Sequence, residues 1–212
     1  MDSWKNNLRE AIKLAPEHIS AYSLIVEPGT PICDHSDRFP SLPDEDEERE
    51  MYALTEKLLS EAGYLRYEIS NYAKPGHESR HNIGYWIGKE YLGLGLGAAS
   101  YMKSRKYAND FIRFAVVSDM NEFLRNPVSR DLTEIISPRE AMEEYMFLGL
   151  RMMRGVSISE FETKFGKTMG EVYGLVLRKY ISSGHIIREN DRIRLSDEGI
   201  SVSNMIFSEF II

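Results

Sequence analysis

Cysteine is nearly absent from this chain, with Cys33 the only one in 212 residues. A single thiol closes no internal disulfide and supplies no multi-thiolate metal centre, so Cys33 reads as an ordinary small side chain. Long apolar runs are missing too. Nothing approaches the roughly 20 residues a membrane-spanning helix needs, and the opening MDSWKNNLRE has no signal-peptide core. A cytoplasmic protein with no transmembrane segment is the expectation. Positive charge is in short supply, 26 Lys plus Arg against 33 Asp plus Glu, for a formal net charge of −7. That balance argues against a general nucleic-acid or anionic-membrane binder. What remains is a globular composition, 42% hydrophobic and 11% aromatic, sufficient for one large or two small domains.

The chain changes character halfway along. Trp4, Leu8, Ala11, Ile12 and Ala15 share a helical face that Pro16 ends, and HISAYSLIV (18–26) reads as a buried strand. The acidic DEDEERE (44–50) opens a second helix through Ala62, where carboxylates complement the helix dipole. YLRYEIS (64–70) follows as a strand. Helix and strand alternating at this spacing predict a parallel α/β sheet, yet two strands cannot close or cover one. Unpaired edges and the apolar face of Trp4, Leu8 and Ile12 therefore predict self-association or rearrangement, with a homo-oligomer expected.

Further on, Ser118 is predicted to cap a short helix ended by Pro127. SPREAMEEYMFLGLRMMRG (137–155) has a Ser cap, Pro at the first helical position, and Met142, Tyr145, Met146, Gly149, Leu150 and Met153 inward. The methionines read as adaptable core. Ser159 and Glu162 stand at capping-box spacing, 168–185 reads as a longer helix, and 186–199 as a hairpin turning at Asn190 and Asp191. Helix, helix, hairpin is a winged-helix order, which raises a DNA-binding reading. Residues 151–212 hold nine Lys or Arg against eight Asp or Glu, and the reading helix offers only Arg178 and Lys179, near its C-terminal end. A packing role is favoured and no nucleic-acid partner is expected.

The stretch 79–101, SRHNIGYWIGKEYLGLGLGAASY, joins His81, Asn82, Tyr85 and Trp86 to glycine at every second position from Gly93 to Gly97. Each glycine inside a helix costs about 0.5–1 kcal/mol relative to alanine, so the run reads as backbone brought close to a ligand or a neighbour. A Gly-rich strand packed tightly against its neighbour is the plainer alternative. For the aromatic cluster the plainer alternative is a turn capped by His81 and Asn82, with Trp86 in the core.

Four segments together carry a family resemblance: HISAYSLIVEPGTP (18–31), YEISNYAKPGHESRHNIGYW (67–86), YLGLGLGAASY (91–101) and LRKYISSGHIIRENDRIRLSDEG (177–199). They resemble the C-terminal part of the HemW-like radical SAM family, relatives of oxygen-independent coproporphyrinogen III oxidase. The resemblance implies an α/β plus α+β chain. Residues 1–103 would be the C-terminal portion of a partial radical SAM (β/α) barrel, 104–136 a connecting segment, and 137–212 a HemN-type helical, winged-helix-like domain. The family holds a 4Fe-4S cluster on three cysteines with S-adenosylmethionine on its open iron. This chain has no such motif, which predicts a truncated relative, inactive alone. In barrels of parallel strands ligands sit at the strands' C-terminal ends, which would put Ile25–Thr30 and Ser70–Tyr72 at the cofactor mouth. Resemblance also puts Gly95, Gly97, Ala98 and Ala99 beside S-adenosylmethionine, although the family more often has His where this chain has Ala99.

Two functions follow from the resemblance: a haem chaperone that delivers haem to haem proteins, and radical decarboxylation of coproporphyrinogen III in porphyrin biosynthesis. The cluster His81, Asn82, Tyr85 and Trp86 favours the chaperone, with His81 as the metal ligand to haem iron and the aromatic rings covering the macrocycle. His18 and His77 are competing ligands. Recipient haem proteins and a separately supplied N-terminal barrel half are the implied partners.

Overall fold

The computed structural model describes residues 1–104 and 111–211, which fall into two compact units, Met1–Ser79 and Arg80–Ile212. The first unit begins with α1 (Asp2–Lys13) and β1 (His18–Ser20). A single turn, α2 (Pro31–Asp34), precedes α3 (Glu45–Glu61), and the unit ends with β2 (Leu65–Glu68) and β3 (Asn71–Ala73). Asp44 starts α3 through a capping box: its carboxylate accepts from the Asp46 and Glu47 amides, and the Glu47 carboxylate accepts from the Asp44 amide. Both ends of the box satisfy amides the first turn would otherwise leave unpaired. Ala21, Leu59, Tyr64 and Tyr72 form the core, with Trp4, Ile12 and Ile19 packed on it.

Three expectations for this unit need correction. The sheet is antiparallel in the order β1-β3-β2, so the two predicted strands do not pair with each other. The chain reverses at once after β2, because the Glu68 carboxylate accepts from the Ser70 amide at 2.8 Å and from Asn71 Nδ2 at 2.5 Å. Ser70 is therefore a turn residue within a hairpin, and Ile25–Thr30 lie outside any strand. Secondly, β1 covers only the start of the predicted strand; Tyr22, Leu24 and Ile25 beyond it are exposed. Thirdly, the face of Trp4, Leu8 and Ile12 is covered: Leu8 is buried, and the Trp4 indole donates to Thr55 Oγ1 of α3 at 2.9 Å.

The second unit opens with α4 (Arg80–Trp86) and a three-stranded antiparallel sheet of β4 (Ala99–Lys103), β5 (Phe111–Val116) and β6 (Arg130–Ile136), in that order. None of these three strands was read from the sequence. Between β5 and β6, α5 (Met120–Arg125) is capped by Asp119 instead of Ser118. Then come α6 (Pro138–Gly149), β7 (Val156–Ser157), α7 (Ile158–Phe165) and α8 (Met169–Ser182). The chain finishes with the hairpin β8 (Ile186–Glu189) and β9 (Arg192–Leu195), followed by α9 (Asp197–Ser201) and α10 (Ser203–Ser208).

Ser137 caps α6 as its sequence predicts, in a capping box with Glu140. Met142, Met146 and Leu150 are buried, as is Met152 where Met153 was expected. The cap of α7 is Ser157, whose Oγ accepts from the Glu160 amide. Ser159 instead serves Asp191, which accepts from its amide and hydroxyl at 3.0 and 2.8 Å and from the Ser157 hydroxyl at 2.6 Å. This clamp fixes the start of α7 to the hairpin turn, where Asn190 takes a positive φ of 52°. β7 completes a sheet in the order β7-β9-β8.

Candidate functional site

His81 and Tyr85 lie one turn apart on α4, so they share a face. Their rings meet edge to face with centroids 4.8 Å apart. Tyr85 in turn meets Tyr91 edge to face at 4.7 Å, Tyr91 lies against Tyr101 at 6.2 Å, and Tyr101 stacks on Phe111 at 4.8 Å. An aromatic row thus runs from an exposed imidazole down to the buried ring of Tyr101. Burial pushes the Tyr101 phenol up to about 12 and raises that of Tyr91. Alongside the row, Arg113 reaches Glu144 at 2.6 Å and Glu134 at 3.1 Å, its guanidinium 5.8 Å from the Tyr101 ring centroid.

Trp86 leaves this face. Five residues beyond His81, it falls about 140° around the helix, and its ring carries the Arg151 guanidinium at 4.5 Å. Its indole nitrogen is buried and has no hydrogen-bond partner among the described residues. Asn82 is partly buried on the same helix. The structure therefore joins His81 to Tyr85 and separates Trp86 from them. Tyr91, Tyr101 and Phe111 were missed by sequence reasoning; the available signal was the strand pattern either side of residues 105–110.

The glycine run is a turn leading into β4, not a strand. Gly95 and Gly97 take φ of 109° and 67°, values L side chains rarely adopt. Gly93 has a different reason: a Cβ there would stand 2.1 Å from the Ala99 carbonyl oxygen. The run closes on its own sheet, since the Gly97 amide donates to Val117 O and the Val116 amide to Ala98 O, both at 3.0 Å. Gly95, Gly97 and Ala99 are exposed and Ala98 half-buried, while Leu92 and Leu94 just before them and Leu96 between the two glycines are exposed to solvent.

The competing histidines belong to the other unit. His18 Nε2 is 2.9 Å from the Tyr67 hydroxyl, and His77 is exposed. Cys33 is exposed, and among the described residues no three His, Cys, Asp or Glu side chains gather as a metal site. A 4Fe-4S cluster bound through three thiolates does not fit the residues of this chain.

Comparison with known proteins matches residues 136–202 to the HemN C-terminal domain family. The haem chaperone HemW of Lactococcus lactis is 33% identical over the whole chain and 55% of its own length. That of Bacillus subtilis is 32% identical over 98% of the chain and 54% of its own length. HemW of Escherichia coli reaches 45% identity over 43% of the chain. The chain thus spans about half the length of the first two of these curated relatives. Among solved structures, the radical SAM enzyme coproporphyrinogen III oxidase (HemN) of Escherichia coli superposes with a TM-score of 0.72 over 99% of this chain and 51% of its own. At 13% identity that likeness establishes the fold alone.

Proposed function

We infer that this chain, a HemW-like member of the radical SAM family, acts in haem binding and hand-over to haem proteins, with His81 as the axial ligand. The observation that carries the reading is an exposed imidazole at the end of an aromatic row whose members lead directly into exposed Leu92, Leu94 and Leu96. Haem asks for that combination: a neutral ring nitrogen for the iron and apolar surface for the macrocycle. Tyr85, edge-on to the imidazole, restricts its orientation, as a neighbouring group does for a metal-bound histidine. Trp86 supports α4 from its other face and Asn82 lies beside His81 in sequence. Bound haem would supply the cargo; the chain's own residues hold and orient it and leave it accessible for transfer.

Relatives named as haem chaperones match the chain at about a third identity, whereas the coproporphyrinogen oxidase neighbour supports only the fold. The reading extends to the rest of the molecule as proposals. Gly95, Gly97, Ala98 and Ala99 would line the S-adenosylmethionine side when the remaining family segment, with its 4Fe-4S cluster, is present. Residues 137–212 would be a winged-helix-like packing domain, consistent with α7, α8 and the β8–β9 hairpin. Among the described residues no helix is long and apolar enough to cross a membrane, in keeping with a cytoplasmic site of action. Self-association belongs to the same reading, because Tyr22, Leu24 and Ile25 present apolar surface beyond β1.

The test is a haem titration of the chain and of His81→Ala, followed by the Soret band, with His77→Ala and His18→Ala as controls. Selective loss of binding in His81→Ala is the expected result. Equal binding by the unsubstituted chain and His81→Ala rejects His81 as the ligand.

A further inference from the structure

The second unit contains a cavity of about 480 Å³ on the Trp86 side of α4, within the range of small-molecule sites. Its apolar wall comes from Trp86, Ile87, Met152 and Val156, the last two buried. Facing them are three cations, Arg154, Lys164 and Arg192, against one acid, Glu160. Apolar walls with a few convergent charges are the usual make-up of a ligand site.

The cations are not consumed by the fold. Arg192 donates to the Gly155 carbonyl at 3.2 Å, but Arg154 has no hydrogen bond or ion pair among the described residues. The Lys164 ammonium stands 5.4, 5.6 and 5.9 Å from the ring centroids of Phe165, Tyr145 and Phe111, with no carboxylate in contact among the described residues. Although the residue as a whole is exposed, burial around its ammonium lowers the pKa against the raising effect of Glu144. The buried Trp86 indole N–H, also on this wall, lacks an acceptor.

We propose that this cavity binds an aromatic carboxylate, its ring against Trp86, Met152 and Val156 and its carboxylate held by Lys164 and Arg154. Glu160 leaves an excess of two cations, Lys164 and Arg154 beside the carbonyl-bound Arg192 among them, and the two oxygens of one carboxylate can meet that pair while the apolar wall takes the ring. The site does not use His81, which lies about 140° around α4 from Trp86, although Lys164 also approaches Phe111 of the aromatic row.

The chain has two tryptophans, and each lines a different cavity: Trp86 this one, Trp4 a cavity of about 280 Å³ in the first unit. The two indole N–H resonances of ¹⁵N-labelled full-length chain therefore report the two cavities separately, with Trp86→Phe assigning the peaks. Titration with 2-naphthoate should shift the Trp86 indole saturably and leave Trp4 in place, while uncharged 2-naphthylmethanol at equal concentration should not. Lys164→Gln with Arg154→Gln, both exposed positions, should weaken binding at least about tenfold, as expected for lost charge-assisted contacts. His81→Ala should bind naphthoate unchanged. Equal binding of the alcohol, an equal response to inorganic phosphate, or unaltered affinity in the double variant would each overturn the proposal.

Discussion

Single residues decide how the glycine-rich turn and the aromatic row hold their shape. Gly93→Ala would drive a methyl group into the Ala99 carbonyl, backbone that cannot swing aside. A loss of about 1–3 kcal/mol is expected by urea denaturation, the range for forced overpacking; an unchanged midpoint would show that the turn relaxes. The tyrosines give a second prediction. Tyr72 and Tyr101 are pushed up to about 12 by burial, whereas an unfolded tyrosine titrates near about 10. The folded state thus keeps protons that the unfolded chain releases. Stability from these groups is intact below about pH 10 and is lost as pH climbs toward the folded values. Tyr72→Phe and Tyr101→Phe single these rings out from exposed tyrosines such as Tyr22: the tyrosinate absorbance missing from each variant should be absorbance that appears only as circular dichroism reports unfolding. If the missing absorbance instead belongs to a phenol ionising near its ordinary pKa with the fold intact, the burial assigned to that ring is refuted.

At the scale of elements, the helix starts were the most legible part of the sequence. Ser137 with Pro138 and Glu140 announces α6, because serine, proline and glutamate each serve an orphan group of a first turn. Ser137→Ala and Thr168→Ala should each cost about 1 kcal/mol, the usual value of a side-chain cap, measured by denaturant unfolding. Hydrogen bonds from the caps hold the Glu140 and Glu171 carboxyls below the usual range, Ser137 acting on the first and Thr168 on the second. Their contribution is present above the unfolded carboxylate pKa and fades as pH falls through the folded one. Ser159 misled the reading because capping-box spacing also fits Ser159 with Glu162, and nothing local reveals that Asp191 of the hairpin claims its amide and hydroxyl. Strand pairing was illegible for a related reason: alternation marks a strand but not its partner. β3 intrudes between β1 and β2 through a turn that Glu68 fixes, and that buried carboxylate carries no pattern in the sequence.

Across the whole molecule, family kinship was readable from the segments 67–86 and 91–101, while the arrangement of the candidate site was only half so. Helical spacing joins His81 to Tyr85. The same spacing puts Trp86 around the helix, a consequence available from the sequence but overridden by the joint motif. Tyr101 and Phe111 come together only through the β4–β5 pairing and Tyr91 through its own bridge to Tyr101, both tertiary events. Ligation of haem iron by His81 is the central claim, and exchanging the ligand atom tests it most directly. The ferric spectrum of haem bound to His81→Cys should change from an imidazole type to a thiolate type, whatever the change in affinity. A spectrum identical to that of the unsubstituted chain would mean that iron is held elsewhere.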